Sequence, residues 1–143
     1  MKISDLLVEK GDSVEVIGPT ETIASAVRRL TERGIGALVA SHGDGTVDGI
    51  ISERDVVRLL ALEGEGALAR LVSDAMTTPV TTCDPADEVI SLMSLMTEHR
   101  IRHVPVVSDG RLVGIVSIGD VVKSRVDQLE RDRKELLEYV SGR

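Results

Sequence analysis

Apolar residues recur at i, i+3, i+4 and i+7 in Ile23, Ala26, Val27 and Leu30, the stripe of a helix laid against a core. The same stripe returns 66 residues later as Val89, Leu92, Met93 and Met96. Each is followed by two β-rich runs around a polar turn. Ala37 to Ala40 and Val47 to Ile51 flank HGDG, while Val104 to Val107 and Leu112 to Val116 flank SDG. The first turn is a residue longer, so the offset falls to 65 when GIISERDVV at Gly49 to Val57 returns as GIVSIGDVV at Gly114 to Val122. The chain is a tandem duplication, and a unit of about 60 residues buries too little surface to stand alone. Two copies sharing one core, with a pseudo-symmetric cleft between them, are the expected arrangement.

Ser13 to Ile17 opens the first copy as a short extended run, and Pro79 to Cys83 opens the second. Pro19 and Pro85 stand where a first helical residue has no intrahelical use for its N–H, each with an acid two residues on, which predicts helix starts there. A second helix begins near Ser52 and near Ser117, giving β-α-β-β-α per copy. The expected fold is α+β: two such repeats packed as a pseudo-two-fold pair, over residues 1–66 and 67–128, with a helical extension over 129–143. Glu63 to Gly66 reads as a short flexible linker. From Asp120 to Val140 one long helix is expected, with Val122, Val126, Leu129, Leu136 and Val140 as an apolar stripe that is either a solvated cap or a dimer contact.

Composition narrows the function. Tyr139 is the one aromatic residue and the net charge is −7. Both facts count against nucleic-acid binding, which needs a basic groove and, for single strands, stacking platforms. A small anion remains possible where Arg, His and backbone N–H groups cluster. Cys83 is the single cysteine, so no intrachain disulfide is available and a reduced cytoplasmic setting is expected. The first residues carry charges and no signal-peptide apolar run, and no segment reaches the roughly 20 apolar residues of a membrane span.

Ser52-Glu53-Arg54-Asp55 and Ser117-Ile118-Gly119-Asp120 fit S-x-x-D ahead of an apolar run. One reading is a capping box. The other is a nucleotide grip, in which helix N–H donors and the serine hydroxyl meet phosphate while the aspartate accepts from both ribose hydroxyls. His99 and His103 lack a third metal ligand, the glycines form no phosphate-loop pattern, and no converging nucleophile and base is evident, so neither a metal site nor an enzyme is expected.

These motifs, with IRHVPVV at Ile101 to Val107, resemble a tandem pair of CBS domains, the cystathionine-β-synthase type, forming a standalone Bateman module from about Val8 to Lys123. The resemblance implies a regulatory module that senses AMP, ADP or ATP, or else NAD or S-adenosylmethionine, in the clefts between repeats. By position it assigns Asp55 and Asp120 to ribose hydroxyls, and Ser52 and Ser117 to the neighbourhood of phosphate. Thr82 and Val16 would face the adenine edge, with Ile51 and Val116 sandwiching the purine. Arg102 and His103 match a basic pair before the strand and are candidates for phosphate. Gly36 and Ala37 replace that pair in copy one, where Arg54 is expected to supply the missing charge, and one nucleotide per chain is anticipated. A homodimer and an unidentified regulated protein are the implied partners. A ligand-free module for oligomerisation or partner docking is the competing reading.

Overall fold

The computed structural model describes residues 1–142. Its elements are α1 (Ile3–Lys10), β1 (Val16–Ile17), α2 (Ile23–Arg33), β2 (Ala37–Ala40), β3 (Gly49–Ser52), α3 (Glu53–Glu63), α4 (Val72–Ala75), α5 (Val89–His99), β4 (His103–Ser108), β5 (Arg111–Ser117) and α6 (Ile118–Val140). In the first copy β1 pairs parallel with β2, and β2 antiparallel with β3, with Leu38 opposite Ile51. In the second, β4 and β5 form a hairpin with Val104 opposite Val116. Cys83 bridges Val106 in parallel and so takes the place of the β1 strand.

The two helix starts lie later than the prolines suggest. Residues 18–21 close a turn of their own, with Glu21 N donating to the Gly18 carbonyl at 3.0 Å and the Glu21 carboxylate accepting the Gly18 N–H at 2.9 Å. Asp84 and Asp87 repeat this pair of bonds. The helices begin only at Ile23 and Val89. The carbonyls of Pro19 and Pro85 instead accept the N–H groups of Ser73 and Ser4.

Those bonds reveal an exchange. The N–H groups of Ile3 and Val72 bond to Asp87 and Glu21, while those of Val89 and Ile23 bond back to Met1 and Arg70. Ile3, Leu6 and Leu7 of α1 are buried in the core of the second copy, with Val89, Leu92, Met96, Val104 and Val116. Val72 of α4 is buried with Ile23, Ala26, Leu38 and Ile51 of the first, and Met76 packs against that cluster. The sequence units 1–66 and 67–128 therefore lend their leading helices to each other. The glycine heading each motif is the receiving notch: a Cβ on Gly49 would sit 2.5 Å from Met76 Sδ, and one on Gly114 2.7 Å from Leu7 Cδ2.

The segment expected as a flexible linker is folded. Residues 64–69 form a 3-10 helix, with Ala67 fully buried, because Gly64 takes a positive φ that turns the chain after α3. Among the described residues no helix is long and apolar enough to cross a membrane.

Candidate functional site

Ser52 and Ser117 each end a β-strand and begin a helix, and each closes the capping box that its sequence pattern allows. Ser52 Oγ accepts the Asp55 N–H at 3.3 Å, and Asp55 Oδ2 accepts the Ser52 N–H at 2.9 Å. Ser117 and Asp120 repeat the exchange at 3.1 and 2.8 Å. The first N–H of each helix is also taken, by the Gly36 carbonyl for Glu53 and the Arg102 carbonyl for Ile118. Among the described residues, the first turns keep only the amides of Arg54 and Gly119 open to an anion.

Two clefts follow the pseudo-two-fold relation, which sets each helix start against the loop before the β-hairpin of the other copy. A cleft of about 410 Å³ brings Ser52 and Asp55 together with Arg100, Arg102 and His103. A second, of about 380 Å³, brings Ser117 and Asp120 against Gly34 to Ala37. Gly36 and His103 border both. A Cβ at position 36 would meet Glu53 Oε1 at 2.7 Å and His103 Cε1 at 3.0 Å, so glycine keeps this seam open.

The crossing corrects one expectation. Arg54 does not compensate for the missing basic pair of copy one, because it lines the same cleft as Arg102, with Nη1 directed at the Arg100 carbonyl. Arg54, Arg58, Arg100 and Arg102 thus gather on one side with Glu53 and Asp55. Four arginines and two acidic residues line this cleft. The other cleft holds Lys10 with Glu15 and Asp120. Lys10 comes from α1 and has no place in the motif; only its delivery by the exchanged helix shows its role.

A second correction concerns the purine walls. Ile51 and Val116 are fully buried in the two cores and cannot stack on a base in either cleft. Successive residues of a strand face opposite sides, so the residues on the serine side are Ile50 and Ile115, which do line the clefts. That two-residue period was readable in the sequence. Val16 on β1 and Thr82 beside the Cys83 bridge are both exposed and lie outside the two linings; Glu15 and Thr77 stand within them.

Asp55 is almost enclosed, at 8% exposure. Its Oδ1 accepts the Thr77 hydroxyl at 3.1 Å and lies 3.9 Å from Arg58, while Oδ2 accepts the Ser52 hydroxyl at 2.9 Å. Asp120 is more open and pairs with Lys10 at 2.6 Å. Burial raises its carboxyl, but the bonds from Lys10 and from the Ser117 amide and hydroxyl outweigh burial and bring it below its ordinary range. His103 is pushed below its usual range chiefly by burial; Glu53 and Asp120 pull it up, while Arg102 and Lys10 push it down. Cys83 is buried, and burial followed by Asp87 and Asp84 raises its thiol to about 12, so it offers no thiolate.

Comparison with known proteins gives a consistent picture. The family described as CBS domain matches residues 4–62 and 72–127. A mitochondrial CBS domain-containing protein of Arabidopsis thaliana, CBSX3, is 36% identical over 98% of this chain and 72% of its own length. The crystal structure of a CBS-domain containing protein from Agrobacterium tumefaciens superposes with a TM-score of 0.85 at 46% identity, covering 87% of this chain and 99% of that one. A putative signal-transduction protein with CBS domains from Burkholderia ambifaria gives 0.84 at 35% identity, over 89% and 95% of the two chains.

Proposed function

The chain belongs to the CBS-domain family as a pair of such domains, and from that premise we propose that it is a regulatory module binding one adenosine nucleotide in the cleft of Ser52 and Asp55. The observation that carries this reading is the gathering of Arg54, Arg58, Arg100 and Arg102 on that cleft against the acidic balance of its twin. On a chain of net charge −7, that local excess is where a polyphosphate finds complementary charge. The Arg54 amide and the Ser52 hydroxyl lie at the same rim, and Asp55 is the carboxylate for ribose hydroxyls once Thr77 yields its bond.

Binding there touches both copies at once, since the arginines of the 100–102 loop and the start of α3 belong to different repeats. A nucleotide that prefers one spacing of the two would shift the pair toward it and alter the surface offered to a second copy or a regulated protein. The site is a binding site, with regulation rather than catalysis as its output. The acidic charge and near absence of aromatic residues count against a nucleic-acid partner, and the single cysteine suits a reduced, cytoplasmic setting.

Calorimetric titration with AMP, ADP and ATP tests the reading, with NAD and S-adenosylmethionine as competing arms. The guanidinium count favours ADP and ATP over AMP, with one site per chain and affinity falling as salt rises. Absence of binding by all five ligands at millimolar concentration would defeat it.

A further inference from the structure

From Val122 onward α6 carries an apolar face that the body leaves largely exposed. Val122, Val126, Leu129, Arg133, Leu136 and Val140 step by four, three, four, three and four residues, the spacing of alternating d and a positions in a coiled coil. The body-facing side of the helix is marked by Val121 and Ser124, both buried. At about 100° per residue the two stripes are centred roughly 130° apart, so docking of α6 leaves the heptad seam free. The five apolar members of that seam are between 46% and 75% exposed.

The residue types select the occupant. Valine at a (Val126, Val140) with leucine at two of the three d positions (Leu129 and Leu136, beside Val122) favours two strands, and the single charged a residue, Arg133, favours one register. In a parallel, in-register pair the g residue Arg125 faces Glu130 of the partner subunit, and Arg133 lies beside Asp132 of the partner subunit. Antiparallel pairing over the same residues would instead set Glu130 and Asp132 against their own copies. Charge complementarity therefore favours one orientation.

We propose that residues 122–140 of α6 pair with the same residues of a second copy as a parallel two-stranded coiled coil. This rests on the homodimer in the functional reading and not on occupancy of the cleft of Ser52 and Asp55, whose lining contains no residue of α6. The two copies would then lie side by side with like repeats adjacent, so a change in repeat spacing could alter the splay of the helix pair.

Single-cysteine crosslinking of the full chain, with the native Cys83 replaced by Ala, is the test. On mild oxidation Leu129→Cys, at d, is expected to give a disulfide-linked dimer, whereas Arg131→Cys, on the outward face, is not. In sedimentation equilibrium Arg125→Glu and Glu130→Arg are each expected to weaken the dimer roughly tenfold, and the double swap to restore it. A chain that stays monomeric at micromolar concentration overturns the proposal. So does a dimer that neither crosslinks through position 129 nor responds to the charge swaps. Arg125 lies outside the linings of both clefts, so Arg125→Glu should still bind nucleotide at one site per chain, which separates failure of the seam from failure of the cleft.

Discussion

Lys10 Nζ lies 2.6 Å from Asp120 Oδ2 and 2.7 Å from the Ile115 carbonyl, so the last residue of α1 is tied to the start of α6. Each side chain is about a quarter exposed, which leaves the pair worth more than a surface ion pair. Asp120→Asn is expected to cost about 1 kcal/mol at pH 7. Because the Asp120 carboxyl is lowered in the folded state, this stabilisation is present above the ordinary carboxylate value of 3.8 and is lost as pH falls through the lowered one. Urea denaturation curves of the two proteins should converge below that range.

On the proposed function, the two aspartates are expected to divide stability from binding. Asp55→Ala and Arg102→Ala should each weaken nucleotide binding about ten- to hundredfold, the loss of one or two charged hydrogen bonds. Asp120→Ala should change that affinity by less than about twofold while lowering the melting temperature, as removal of a capping residue does. Calorimetry beside thermal denaturation checks both. A greater loss of affinity in Asp120→Ala than in Asp55→Ala would move the site to the other cleft.

His103 makes stability depend on pH near neutrality. Its folded pKa lies below the ordinary 6.5, so the unfolded chain takes up the proton first and stability declines as pH drops through that value. His103→Asn should flatten the decline between about pH 7 and pH 5 in denaturant titrations. A phosphate in the cleft stabilises the imidazolium, and proton uptake on ADP binding at pH 6 should appear as a dependence of binding heat on buffer ionisation enthalpy.

Gly114 receives Leu7, and the cost of filling that notch is separable from the loss of the leucine. Gly114→Ala is expected to destabilise by about 1–3 kcal/mol through overpacking and Leu7→Ala by about 2–3 kcal/mol through the lost burial. Because Leu7 Cδ2 is the atom the new methyl would strike, the double variant should cost less than the sum. Additive effects would mean that α1 does not rest on this glycine.

Cys83, with its thiol raised to about 12 by burial and two nearby acids, should not react with a disulfide reagent at pH 8 in the native chain. It should react at the rate of a free thiol in urea. Rapid native labelling would show that the segment before α5 opens readily.

Much of this was legible residue by residue. The helix stripes, the hairpins, the caps at Ser52 and Ser117 and the long α6 all follow from contacts within a few positions. Two longer-range signals are also in the sequence. Ile3-Ser4-Asp5-Leu6-Leu7 and Val72-Ser73-Asp74-Ala75-Met76 are matching leaders, and their likeness announces the helix exchange. The strand period from Ser52 back to Ile50, and from Ser117 to Ile115, names the cleft-facing residues and turns Ile51 and Val116 into the core.

The chain's order of residues determined by itself the duplication, the elements of each copy and the chemistry available at each helix start, since hydrophobic period and capping act over a turn or two. Only the tertiary structure decided which loop meets which helix start, and so that Arg54 joins Arg102 while Lys10 reaches Asp120 across 110 residues. That choice depends on how two whole repeats pack against each other, a relation to which each local pattern is indifferent.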